Sequence, residues 1–198
     1  MTILSAFQGT LSKYSNQTDI VIGTPIAGRR MQETENLIGF FVNTLVLRTS
    51  TEYNPTLKEL LSQVKQTTLE AYSHQDIPFE QLVEHLNAPR DLSRHPIFQV
   101  MFVLQNNKQE ELRFGDIKPK GIGAGNRQAK FDLTLNITET KEGLNLGFEY
   151  ASDLFKQETI ERLSNYYRSF IDEIIHDQDK RLSEIFILDK KEVTKLQT

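Results

Sequence analysis

The sequence predicts an α/β domain of layered α+β type, a mixed, largely antiparallel sheet with helices packed on one face. Three patterns carry this. Apolar residues recur at helical spacing over 3–14, 57–72 and 160–175. Dense apolar, β-branched runs at 19–26, 38–48 and 97–105 read as buried strands, and 131–138 and 144–150 alternate strictly between apolar and polar residues.

The elements follow in chain order. Ile3, Leu4, Phe7, Leu11 and Tyr14 mark an amphipathic helix whose start looks cut, not capped. The polar turn SNQTD leads into DIVIGTPIAG, a short strand ended by proline and glycine. Ala27 to Asn36 is a charged loop without apolar period, lying on a surface or across another unit. IGFFVNTLVLR reads as a buried strand in which Asn43 and Thr44 form a polar pair. An unpaired buried amide costs about 1–3 kcal/mol, so Asn43 is expected to bond to a loop, a water or a ligand.

Asn54-Pro55-Thr56 supplies a stop and an N-cap for a helix with Leu57, Leu60, Leu61, Val64, Thr68, Ala71 and Tyr72 on one face. Pro78 opens a shorter helix through Leu86, with Phe79, Leu82 and Val83 inward. NAPRDLSRHP is a loop rich in turn formers ahead of the strand IFQVMFVLQ. Residues 106–130, charged and glycine-rich, are expected to hold a weak strand and an extended excursion. FDLTLNITE and the run through Leu144, Leu146, Phe148 and Tyr150 form an antiparallel hairpin about a short loop containing Gly143. The last long helix carries Ile160, Leu163, Tyr167, Phe170, Ile171, Ile174 and Ile175, and the tail SEIFILDKKEV returns briefly to the core.

Composition narrows the function classes. The 198-residue chain has no cysteine, which removes disulfides, thiolate zinc sites and cysteine nucleophiles. A net charge of −4 with evenly scattered ions provides no basic stripe for nucleic acid. No stretch approaches the roughly 20 apolar residues that span a bilayer, and Met1 is not followed by a signal-peptide pattern. The expectation is a cytoplasmic protein without nucleic-acid or membrane partners.

Four histidines are the candidate general bases. His74, two residues before Asp76, reads either as a base with an orienting acid or as a capping residue in a turn. His85, His95 and His176 lie on a polar helix side, before a proline and at a helix end; no spacing suits a metal, so none is expected. GIGAG at 121–125 lacks the strand before and helix after that a phosphate loop needs. Glu33, Glu35, Glu110 and Glu111 read equally as solvated surface or as acid/base groups. RDLSRHPIF places Arg90, Asp91, Ser93 and Arg94 before Pro96 and a strand, as a salt-bridged turn or a functional loop.

IGFFVNTLVLR, HQDIPFEQLV and RDLSRHPIFQ, in this order and spacing, resemble the last three signature motifs of condensation domains from nonribosomal peptide synthetases. DIVIGTPIAGRR and AKFDLTLNITE are similar to the family's flanking segments, so the resemblance covers essentially the whole chain. It implies a chloramphenicol-acetyltransferase-like half of a V-shaped domain, with a tunnel between two halves. Carrier proteins reach that tunnel from opposite ends with phosphopantetheine-bound thioesters, and an acceptor amine attacks the donor carbonyl. The chain itself is expected to bind no cofactor. The family's catalytic histidine lies in an HHxxxDG motif, and this sequence has no His-His pair. The resemblance therefore implies a C-terminal subdomain over 1–188 with a linker beginning at 189–198, inactive alone and holding no catalytic residue.

By the same resemblance Asn43, Thr44, Gly39 and Arg29 face the tunnel or substrate, Arg29 starting a segment that crosses to the other half and floors the tunnel. A return crossing falls at about 118–130. Asn43 could help position or stabilise the tetrahedral oxyanion of amide formation. His74, Gln75, Asp76, Pro78, Phe79, Glu80, Arg90, Asp91, Ser93, Arg94 and Pro96 are assigned to shaping the fold. Expected partners are the N-terminal half, peptidyl or acyl carrier proteins and neighbouring synthetase domains, with self-association through the exposed half-domain surface. The alternatives are a noncatalytic docking module and a fragment of an epimerisation, cyclisation or starter condensation domain; FVNT followed by an arginine fits ordinary condensation better than epimerisation.

Overall fold

A computed structural model of the chain describes residues 1–29, 31–35, 37–88, 91, 94–105, 128–186 and 188. Among the described residues, five strands form one sheet: β1 (Asp19–Ile26), β2 (Asn43–Ser50), β3 (Val100–Gln105), β4 (Leu133–Thr140) and β5 (Gly143–Tyr150), in the order β2-β1-β3-β4-β5. The central strands β1, β3 and β4 run parallel, and the edge strands β2 and β5 pair antiparallel with β1 and β4. The antiparallel ladders are the long ones, from Asp19↔Ser50 to Ile26↔Asn43 and from Leu133↔Tyr150 to Thr140↔Gly143, so the sheet is mixed and largely antiparallel. The helices are α1 (Thr2–Ser15), the single turn α2 (Gln32–Glu35), α3 (Leu57–Ser73), α4 (Phe79–His85) and α5 (Gln157–His176).

Period-two alternation puts Ile20, Ile22, Leu47, Phe102, Leu133, Leu135 and Ile137 on one sheet face, where α1, α3 and α5 cover them. Leu4 and Phe7, then Leu57, Leu60 and Val64, then Ile160, Leu163, Tyr167, Phe170 and Ile174 are the helices' buried stripes. Phe7 packs edge-on to Tyr167 at 5.6 Å between ring centroids. The buried Tyr167 hydroxyl donates to the Ile3 carbonyl at 2.8 Å, and burial pushes its pKa upward. Gly9 permits the close approach of α1 to α5, since a Cβ there would lie 2.3 Å from the Phe170 ring. The tail closes the core with Leu182 and Ile185 after α5.

The cap of α3 lies at Thr56, in a capping box: Thr56 Oγ1 accepts from Glu59 N, and the Glu59 carboxylate accepts from Thr56 N. These bonds hold the Glu59 carboxyl below the usual range. Across the β1–β2 ladder, Arg48 pairs in bidentate fashion with Asp19 at 2.8 and 2.9 Å and lowers the pKa of that carboxyl.

The strand expected over 38–48 is shorter than the sequence suggests. Its pairing ends at Ile26↔Asn43, and Gly28, at φ 64, turns the chain away after β1. Residues 38–42 therefore have no strand beside them among the described residues, and Ile38, Phe40 and Val42 are exposed. Asn43 opens β2 instead of interrupting it. The loop after β1 contains α2, which its charged composition did not announce. The expected strand at 97–105 starts at Val100, because Ile97 sits at φ 71, a strained conformation for a β-branched residue. The glycine run at 121–125, most of the expected return crossing and the linker at 189–198 lie outside the described residues.

Candidate functional site

Residues from two of the three motifs meet at the start of β2. The Asn43 side-chain Nδ2 donates to the carbonyls of Gln75, at 2.9 Å, and Ile77, at 2.7 Å. Its Oδ1 accepts from Thr44 N at 2.9 Å and from Phe79 N at 3.1 Å. A primary amide has two donors and an oxygen with two lone pairs, so this set uses its full capacity. The partner left open by sequence is thus a loop: the HQDIP turn more than 30 positions along the chain.

The turn needs this help for a local reason. Pro78 is the N-cap of α4 but has no side-chain acceptor for the first free N–H groups of that helix. Asn43 Oδ1 caps Phe79 N from another element. The turn otherwise holds itself: Gln75 Nε2 donates to Tyr72 O, Ile77 N to His74 O, and Gln81 N to Pro78 O. His74 is the exposed C-cap of α3, its backbone N–H turned back to Ala71 and Tyr72, and Asp76 and Glu80 are exposed beside it. Thr44 is half-buried and pairs with Pro25 across the ladder.

Arg29 organises the neighbouring loop. Its guanidinium donates to the carbonyls of Thr34, Leu37, at 2.7 Å, and Gly39, at 3.4 Å, and lies 4.3 Å over the Phe41 ring. Gly28 packs under the same loop, where a Cβ would stand 1.9 Å from the Phe41 carbonyl oxygen. Residues 37–42 present an apolar outer surface, with Leu37, Ile38, Phe40 and Val42 exposed, Ile38 fully and Phe40 to 91%; Met31, Gln32 and Glu33 are exposed earlier in the loop. The Asn43 bond to the Ile77 carbonyl joins this loop to the exposed Ile77, making one composite face.

Behind it lies an aromatic cluster that sequence reasoning did not assemble. His95 stacks on Phe79 at 5.3 Å and contacts Phe98 at 4.6 Å and Phe131 at 4.9 Å, between ring centroids. Gly23 leaves room for Phe98, whose ring would be 2.3 Å from a Cβ there. The available signal was the aromatic recurrence at 95, 98 and 131, but nothing local joins it to Phe79. Of the RDLSRHP motif, Arg94 N donates to Asp91 O at 3.3 Å and the Pro96 carbonyl accepts from Phe98 N at 2.9 Å; Arg90 and Ser93 lie outside the described residues.

Chemically, this face offers exposed apolar side chains, Ile38 and Phe40 foremost. Among the described residues no cluster of histidine and carboxylate side chains could hold a metal, and no helix is long and apolar enough to cross a membrane.

The chain is 44% identical over 192 residues to surfactin synthase subunit 1 of Bacillus subtilis (strain 168), covering 97% of this chain and 5% of that protein. It is 44% identical over 192 residues to tyrocidine synthase 3 of Brevibacillus parabrevis, covering 97% of this chain and 3% of that protein. The chain thus spans only a few per cent of the length of these relatives. Among solved structures, the X-domain from teicoplanin biosynthesis superposes with a TM-score of 0.81 at 28% identity, covering 94% of this chain and 43% of that one. A holo four-domain nonribosomal peptide synthetase bound to AMP and glycine shares the fold, with a TM-score of 0.86 at 24% identity over 96% of this chain and 16% of that one. The family described as Condensation domain matches residues 1–197, and the chain belongs to that family.

Proposed function

We propose that this chain is the C-terminal subdomain of a nonribosomal peptide synthetase condensation domain, which joins carrier-bound aminoacyl and peptidyl thioesters by amide formation. The observation that carries the reading is the loop at 37–42: internally fixed by Arg29, yet presenting Leu37, Ile38, Phe40 and Val42 to solvent. A loop ordered from within and apolar outside is suited to insertion against a second body. Two further facts support it: the chain covers 43% of the related X-domain, and the sequence has no His-His pair.

In this reading the missing half supplies the histidine motif, and the loop after Arg29 crosses to it and floors the tunnel. Asn43 and Thr44 stand at the tunnel rim, Gly39 within the crossing loop. Asn43 acts chiefly by geometry, since its amide is already engaged by Gln75, Ile77, Thr44 and Phe79. The segment at about 118–130, whose first ten residues lie outside the described set, contributes the return crossing. Phosphopantetheine arms of carrier proteins enter as substrate carriers, and the chain is cytoplasmic with the rest of its synthetase.

The test is dipeptide formation between loaded donor and acceptor carrier proteins, with this chain alone and with a matching N-terminal half added. Dipeptide only after addition of the second half is expected. Dipeptide from this chain alone would refute the assignment of the catalytic histidine to the missing half. No dipeptide under either condition, with carrier binding retained, would favour a noncatalytic docking module. If Asn43→Ala lowers stability but leaves the reconstituted rate unchanged, a direct oxyanion role for Asn43 is excluded.

A further inference from the structure

A second apolar surface lies away from the loop, at the β5 edge of the sheet. β5 is the last strand in the order, and its outer edge has no partner among the described residues. Exposed edges are ordinarily protected by proline, lysine, a bulge or extreme shortness. The segment GLNLGFEY has neither proline nor lysine, and it pairs with β4 without a break over all eight residues. Leu144 and Leu146 are 47% and 38% exposed and lie in one row with Phe148. The opposite row begins Gly143, Asn145, Gly147, and a Cβ at either glycine would meet nothing within 4 Å.

We propose that β5 pairs with β5 of a second copy of this chain, antiparallel about a twofold axis through Leu146, continuing the sheet across the dimer. The strand is self-complementary in that register. Leu146 then faces Leu146 of the second copy, and Leu144 faces Phe148, so the whole apolar row meets itself. Asn145 faces Gly147 and Glu149 faces Gly143, so no two carboxylates oppose each other. Backbone geometry agrees. The two-residue hairpin loop closes on the pair Thr140↔Gly143, so alternate residues of β5 bond to β4. Leu144, Leu146 and Phe148 turn their N–H and C=O groups outward, which is the set this register needs.

The absence of cysteine makes the register directly testable. Directly opposed residues of an antiparallel pair have Cα atoms about 4.5–5.5 Å apart, within the range that a disulfide bridges. Leu146→Cys should therefore give a disulfide-linked dimer on mild oxidation. Asn145→Cys, whose copies would lie about 8 Å apart by strand spacing, should give at least about tenfold less. Leu146→Lys should weaken association in sedimentation by about tenfold or more, whereas Phe40→Ser on the loop should leave it unchanged. For the unsubstituted chain, amide exchange at Leu144, Leu146 and Phe148 should slow as concentration rises. A monomer at all concentrations, equal cross-linking at 145 and 146, abolition by Phe40→Ser, or protection of these amides independent of concentration would each overturn the proposal.

Discussion

Replacing Asn43 tests the link between the start of β2 and the HQDIP turn. Asn43→Ala removes three bonds to distant backbone groups: two accepted by Gln75 O and Ile77 O, and one donated by Phe79 N. Hydrogen bonds contribute about 0.5–1.5 kcal/mol each after exchange with water, and these sites are part-exposed, so a loss of about 2–3 kcal/mol is expected. Asn43→Asp sharpens the test. It keeps the acceptor for Phe79 N but turns a charged oxygen toward two carbonyl oxygens, so at neutral pH it should be less stable than Asn43→Ala. Those carbonyls disfavour the anion and raise the folded-state pKa of the new carboxyl above its unfolded value of about 3.9. The variant's stability is then greatest below that unfolded value and falls as pH rises through the folded one. Urea unfolding followed by far-ultraviolet circular dichroism, at neutral pH and near pH 4, measures both effects. A loss under about 0.5 kcal/mol for Asn43→Ala, at the floor of one net bond, would refute the clamp; so would Asn43→Asp matching or exceeding Asn43→Ala at neutral pH.

Other expectations follow from close packing and from the caps. Gly28→Ala combines a left-handed φ of 64 with a Cβ 1.9 Å from the Phe41 carbonyl oxygen, so limited proteolysis should show the 29–42 loop opened while the sheet stays intact. Gly23→Ala drives a methyl into the Phe98 ring and should cost about 1–3 kcal/mol by overpacking, measured by urea midpoint at unchanged m-value. Gly147→Ala on the open side of β5 should be tolerated without loss. Glu59 and Asp19 both have depressed pKa values in the folded chain, so their stabilisation is present above the unfolded carboxylate range and is lost as pH falls through their folded values. Glu59→Gln should flatten the acid limb of the stability profile.

Much of the architecture was legible because it rests on short-range periodicity. Leu57, Leu60, Val64 and Thr68 recur at helical spacing and are the buried face of α3; Leu133, Leu135 and Ile137 alternate and are the buried face of β4. Ile160, Leu163, Tyr167, Phe170 and Ile174 of α5 became the core wall opposite the sheet for the same reason, whereas Ile175, expected in the same stripe, is exposed. The candidate site was legible only as a set of motifs, since side chains such as Asn43 and Arg29 take their meaning from partners elsewhere in the chain.

What the sequence determined by itself was therefore the helices α1, α3, α4 and α5, the hairpin, the layered class and, through three ordered motifs, the family. Tertiary structure decided where β2 begins, because a strand exists only where a neighbour runs beside it and β1 turns away at Gly28. It also decided that Asn43 serves a helix start that Pro78 cannot cap, and that His95 lies among Phe79, Phe98 and Phe131. Residue order encodes hydrophobic period directly, but hydrogen bonds and ring contacts between distant segments exist only after the sheet has brought those segments together.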